Sequence, residues 1–195
     1  MADIMNIASV HKYISSIKQK AKAGRHDTSL SYLVSRDISQ STCIRLGIVC
    51  EQIAVLLLSS LLEGKMTNAI QKTSKGKKQR DIHFCNMESM TAIYAEVKGN
   101  INLDTEKAPE TIKKIIYIEN EIREKGFAVN TYLISLRYLR TADISEQNIK
   151  KKYSGVKLIG IADFIENMKC ELPLQLQTYE KYSEFLTYLT TKLEN

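Results

Sequence analysis

The sequence predicts an α/β protein in which helices flank a mixed sheet, with a core in the order α-β-β-α-β. Three observations lead there. Residues 43–62 are apolar on nearly every face; two short β-rich runs, 81–85 and 92–98, follow with a polar link between them; and an amphipathic stretch, 105–125, runs directly into a third β-rich run, 127–136. A helix between the second and third strands is what a crossover between parallel neighbours requires. At 195 residues with 2 prolines, the chain suits one folded domain spanning 1–195, with a core at about 43–136 and an elaboration over 137–195.

Taken in order, Ile7, Val10, Ile14 and Ile17 recur at helical spacing, so residues 5–22 read as an amphipathic helix with Lys12, Lys18, Lys20 and Lys22 mostly on its wet side. A polar stretch, 25–42, separates it from the apolar run. That run has the length of a membrane span, but Arg45, Glu51 and Gln52 interrupt it, and a central core helix is the expectation. Residues 73–80 concentrate Lys75, Lys77, Lys78 and Arg80 around Gly76, as an exposed basic loop would.

In the two short runs Ile82, Phe84, Ile93, Tyr94 and Val97 are the β-formers, a hairpin signal. Asp104 can cap the following helix, whose apolar stripe is Ile112, Ile115, Ile116, Ile118 and Ile122, and Gly126 ends it. Residues 156–162 suggest a further strand. Residues 175–193 form a last amphipathic helix, with Tyr179, Tyr182, Phe185, Leu186, Leu189 and Leu193 on one stripe that suits either the core or a two-fold interface.

Bulk chemistry narrows the function without deciding it. Lysine and arginine total 28 against 22 acids, giving a formal charge of +6, which favours an anionic partner. Cys43, Cys50, Cys85 and Cys170 form no Cys-x-x-Cys pair, so buried reduced thiols in a cytoplasmic protein are expected, and a structural zinc site is not. No apolar signal-peptide core follows the N-terminus, and no membrane association is expected.

The residues that carry chemistry are Asp81, Glu96 and Lys98. Side chains alternate along a strand, so Glu96 and Lys98 share a face, and Asp81 on the partner strand converges on Glu96 if the register allows. Two carboxylates so placed suit Mg²⁺, which takes a few protein oxygens and leaves positions for water and phosphate. The same three residues also suit a cross-strand ion pair on a solvated sheet face. Glu-x-Lys occurs a second time at Glu63–Lys65, but without a strand and an Asp before it. His83 shares the face of Asp81, although a lone strand histidine is more often structural.

The segment 79–107, QRDIHFCNMESMTAIYAEVKGNINLDTEK, resembles the catalytic hairpin of the PD-(D/E)XK nuclease superfamily, and within it type II restriction endonucleases. The similarity is best over about 45–136. Arg80 stands where the proline of the superfamily name would be, a residue with no chemical role. The resemblance implies a restriction-endonuclease-like fold and Mg²⁺-dependent hydrolysis of double-stranded DNA by a homodimer. It implies Asp81, Glu96 and Lys98 as catalytic residues, with Asp81, Glu96 and Val97 at the metal, and Glu51 of the core helix as an additional acid. A lone glutamate in so apolar a helix is costly to bury unless compensated, by metal or by a partner such as Arg45. Contacts to DNA are expected from Lys75, Lys77, Lys78, Arg80, Asn102 and Lys107, and base reading from Arg137, Tyr138, Arg140 and the run 150–153.

Overall fold

An apolar helix packed on one face of a mixed sheet organises the molecule. The structure, a computed structural model, describes residues 4, 33–34, 37–63, 69–71, 81–101, 107–144 and 147–194. The expected helix over 5–22, the basic loop 73–80 and the Asp104 cap lie outside those residues.

The core helix, α1, runs Gln40–Glu63. Ser39 starts it: its Oγ accepts the Thr42 N–H at 3.2 Å, satisfying one of the amides that a helix N-terminus leaves unpaired. By length and composition α1 could cross a membrane, yet one side of it, including Leu46, Val49, Ile53, Leu57 and Leu58, is buried inside the protein. Three strands follow, β1 (Ala69–Gln71), β2 (Ile82–Asn86) and β3 (Thr91–Lys98). Between β2 and β3, Asn86 Oδ1 accepts the N–H groups of Glu88 and Ser89, both at 2.9 Å, which folds the polar link into a tight turn.

Helix α2 (Lys107–Glu124) then carries the chain to β4 (Ala128–Ser135), which pairs parallel with β3 as the crossover reading requires. Ile115, Ile118 and Ile122 of the expected stripe are buried, whereas Ile116 is exposed, because it lies one residue off the row that meets the sheet. A short helix, α3 (Gln147–Lys152), leads to β5 (Leu158–Gly160), which falls within the strand expected at 156–162. The last two helices are α4 (Ile161–Asn167) and α5 (Tyr179–Glu194).

The sheet has the order β1-β2-β3-β4-β5, antiparallel through β3 and parallel beyond it. The architecture is therefore α/β with a mixed sheet flanked by helices. Beyond the expected core it adds a short edge strand, β1, and an outer strand, β5. One apolar core joins Phe84, Ala95, Val97 and Ile134 of the sheet to α1, α4 and α5. The other joins Cys85, Tyr94 and Leu133 to Ile115, Ile118 and Ile122 of α2 and to Tyr153. The α5 stripe belongs to the first core: Tyr182, Phe185, Leu186, Leu189 and Leu193 are buried there and the partly buried Tyr179 packs against it. All four cysteines are buried and none forms a disulfide, in line with the expected buried reduced thiols.

Candidate functional site

The charged residues gather where β3 outruns β2. Ile82 pairs with Ala95, and continuing that antiparallel register by one residue puts Asp81 directly opposite Glu96. The described part of β2 begins at Ile82, and just before it a side chain takes up a β3 amide, the Val97 N–H. Asp81 Oδ2 accepts it, at 2.9 Å. One step further along, the Gly99 N–H is accepted by Glu51 Oε1 at 2.7 Å, which ties the middle of α1 to the end of β3. Glu51 thus meets the end of the strand, and each of these two carboxylates spends one oxygen on a backbone amide.

Glu96 sits deeper. It is 2% exposed, and both of its oxygens are engaged. Lys98, two residues on and so on the same face, lies 3.1 Å from Oε1. Tyr94, two residues before, donates its hydroxyl to Oε2 at 3.2 Å. From α2, Lys114 reaches across to both oxygens, at 2.7 Å to Oε1 and 2.6 Å to Oε2. A carboxyl group buried to this degree is tenable only with such compensation.

The electrostatics bind these residues into one unit. Burial raises the Asp81 carboxyl above its ordinary range, and the charge of Glu96 raises it further, against the Val97 N–H and the two lysines. Burial also raises Glu51, with Asp81 and Glu96 adding to it, while Lys98 and the Gly99 N–H oppose the rise. Burial alone would lower Lys98. The carboxylates of Glu96, Glu51 and Asp81 outweigh it and hold the ammonium above its usual value, so Lys98 is a cation at neutral pH. Three acidic side chains therefore face those of Lys98 and Lys114 in a partly dehydrated place.

The sequence-derived set is thus brought together in part. Asp81, Glu96, Lys98 and Glu51 form the cluster. Val97 contributes its amide to Asp81, while its side chain is buried in the core on the α1 side. Lys107 begins α2 and is exposed; Lys75, Lys77, Lys78, Arg80 and Asn102 fall outside the described residues. His83 is buried, with a ring nitrogen 3.2 Å from Cys85 Sγ and its ring edge-on to Tyr94, a packing role. The base-reading expectation needs correction at two positions, Tyr138 and Tyr153. Both are core residues, Tyr153 donating to the Ile101 carbonyl at 2.8 Å. The Arg140 guanidinium is held by Asp163 and Glu166.

Lys114 was not singled out by the sequence reading, although a signal was there. It precedes Ile118 and Ile122 at successive intervals of four, so it occupies the helical row that the sheet buries. A lysine in such a row needs a buried acid to meet it.

The cluster can be tested against a divalent ion by its donor set. Hard oxygen donors are present, and two of the carboxyls, Asp81 and Glu51, are raised by burial and by the charge of Glu96, which a cation would relieve. Among the described residues, no three His, Cys, Asp or Glu side chains stand close enough to cage a metal unaided. Mg²⁺ does not require that, since it is commonly held by one or two carboxylates with water and phosphate completing its shell. Asp81 and Glu96 fit that description. What fold and site define is an α/β protein with an acidic, lysine-flanked cluster at the end of two antiparallel strands. No family model matches the chain, and neither curated proteins nor solved structures give a match.

Proposed function

We propose that the protein is a Mg²⁺-dependent endonuclease of the PD-(D/E)XK superfamily that hydrolyses double-stranded DNA as a type II restriction enzyme, working as a cytoplasmic homodimer. The observation that carries this reading is the β2–β3 register, which continued by one residue sets Asp81 opposite Glu96 at the end of a hairpin, with Lys98 on the same face and Glu51 approaching from the preceding helix. The α/β order and the parallel strand after a crossover helix agree with it. A net charge of +6 agrees with a phosphate-rich partner.

In this reading Asp81 and Glu96 hold the ion, which would lower the pKa of a water and offset charge on the phosphate oxygens. Lys98 presents a fixed positive charge and N–H donors to the attacked phosphate. Glu51 fixes the end of β3 through Gly99 and adds negative charge on the α1 side of the site. The exposed Lys107 at the start of α2 suits a backbone phosphate, which positions DNA without reading its sequence.

The test is incubation of supercoiled plasmid with the protein in Mg²⁺ or in EDTA. Discrete fragments only with Mg²⁺ are expected. A smear would indicate a nuclease without sequence preference, and inactivity in Mg²⁺ of parent and D81A alike would overturn the enzymatic reading in favour of a binding module.

A further inference from the structure

The cluster holds a second lysine that the proposed chemistry does not use. Lys114 Nζ lies 2.7 and 2.6 Å from the two oxygens of Glu96, while Lys98 stands 3.1 Å from one of them. With the Tyr94 hydroxyl also on Oε2, each oxygen of Glu96 already has two donors. Such a carboxylate has little left for a cation, and the group in the way is the ammonium that spans both oxygens. The Lys114 side chain is 25% exposed against 3% for Glu96, so the lysine keeps a contact with solvent that the carboxylate's residue lacks.

We propose that Lys114 is a tethered counter-cation that occupies Glu96 until a divalent ion displaces it, and that this exchange sets the metal affinity of the site. The inference rests on the reading of Asp81 and Glu96 as metal ligands. Its logic is charge balance. Lys114 brings Glu96 a single positive charge, and a divalent ion that enters while Lys114 withdraws brings both ligands a stronger charge at shorter range. Withdrawal leaves the ammonium on the α2 side of the site. Lys114 is thus a positioning residue that acts through Glu96, and it makes occupation by metal dependent on breaking an existing ion pair.

The experiment is calorimetric titration of the DNA-free protein with Mn²⁺ alone, comparing the parent with K114M, K114Q, K114R and K98M, with thermal unfolding of each as a folding check. K114Q retains a hydrogen-bond donor without the charge and serves if K114M does not fold. K114M or K114Q should bind Mn²⁺ about five- to tenfold more tightly than the parent, and K114R should stay near the parent. K98M should gain less, because Lys98 reaches one oxygen only. Parent binding with no gain in either neutral variant overturns the inference while leaving the metal site standing. Equal gains in K114M and K98M overturn it too, since they mark a general charge effect. Absence of Mn²⁺ binding in the parent and in both neutral variants overturns the metal reading and, with it, the exchange.

Discussion

Two charged clusters in this molecule are built from similar residues and do opposite things. At the hairpin end, Asp81, Glu51 and Glu96 share two lysines, and burial together with mutual repulsion drives Asp81 and Glu51 above their ordinary range. Near β5, Arg140 pairs with Asp163 at 2.9 Å and with Glu166 at 2.5 Å, while Asp163 also accepts the Thr141 N–H. Burial there would raise Asp163. The Thr141 hydroxyl and amide and the Arg140 guanidinium overcome it and hold that carboxyl below its usual range.

The second cluster is a clamp. It locks the turn after β4 to the start of α4, where Gly160 passes so near Leu139 and Arg140 that a Cβ would stand 2.7 Å from backbone atoms. The first cluster works against the fold that holds it. Charged groups kept in unfavourable places are a mark of functional sites, and the contrast separates the two by physics instead of by residue type.

The comparison can be broken at several points, beginning with the largest effect. E96A should lower the rate of Mg²⁺-dependent plasmid cleavage by at least about 10³-fold, read from initial rates, whereas D163A should leave that rate within about twofold per folded molecule. K98M should follow, with a loss of about 10²-fold at the chemical step and little change in DNA affinity, which single-turnover kinetics separates from binding.

The clamp answers in stability. D163A should cost about 1–2 kcal/mol in urea unfolding at pH 7, since it strips Arg140 of a charged partner and Thr141 of an acceptor. Because the folded-state pKa of Asp163 is depressed, its stabilisation is present above the unfolded value near about 4 and is lost as pH falls through the folded one. Glu51 has the opposite sign. Its raised pKa means that the stability linked to it is present below the unfolded carboxyl range and is lost as pH rises through the folded value. E51Q keeps an acceptor for the Gly99 N–H and should therefore melt about 1–3 °C above the parent at pH 8, with the gap closing near pH 4.

Much of this arrangement is legible in the sequence, because it follows from short-range rules. The apolar run around Glu51 makes a core helix, alternation puts Glu96 and Lys98 on one face, and a helix between β-rich runs implies the parallel strand that β4 supplies. What resists reading depends on how elements meet. The edge strand β1 has only three residues and no period to detect. Arg140 looks like a free basic residue until α4 brings Asp163 and Glu166 to it, and the row of Ile118 and Ile122 marks Lys114 as inward-facing without naming the acid it meets, Glu96. Asp81 opposite Glu96 lies between these cases. The spacing allows it, and only the register of β2 and β3 decides it.

The most direct test of the contrast is a paired measurement on D81N, which keeps an oxygen for the Val97 N–H and removes one raised carboxylate. Plasmid cleavage in Mg²⁺ and thermal unfolding at pH 8 are followed on the same preparation. The predicted result is cleavage reduced by at least about 10²-fold together with a melting temperature equal to or above that of the parent. Cleavage at the parent's rate, or a joint loss of activity and stability like that of a broken clamp, would contradict it.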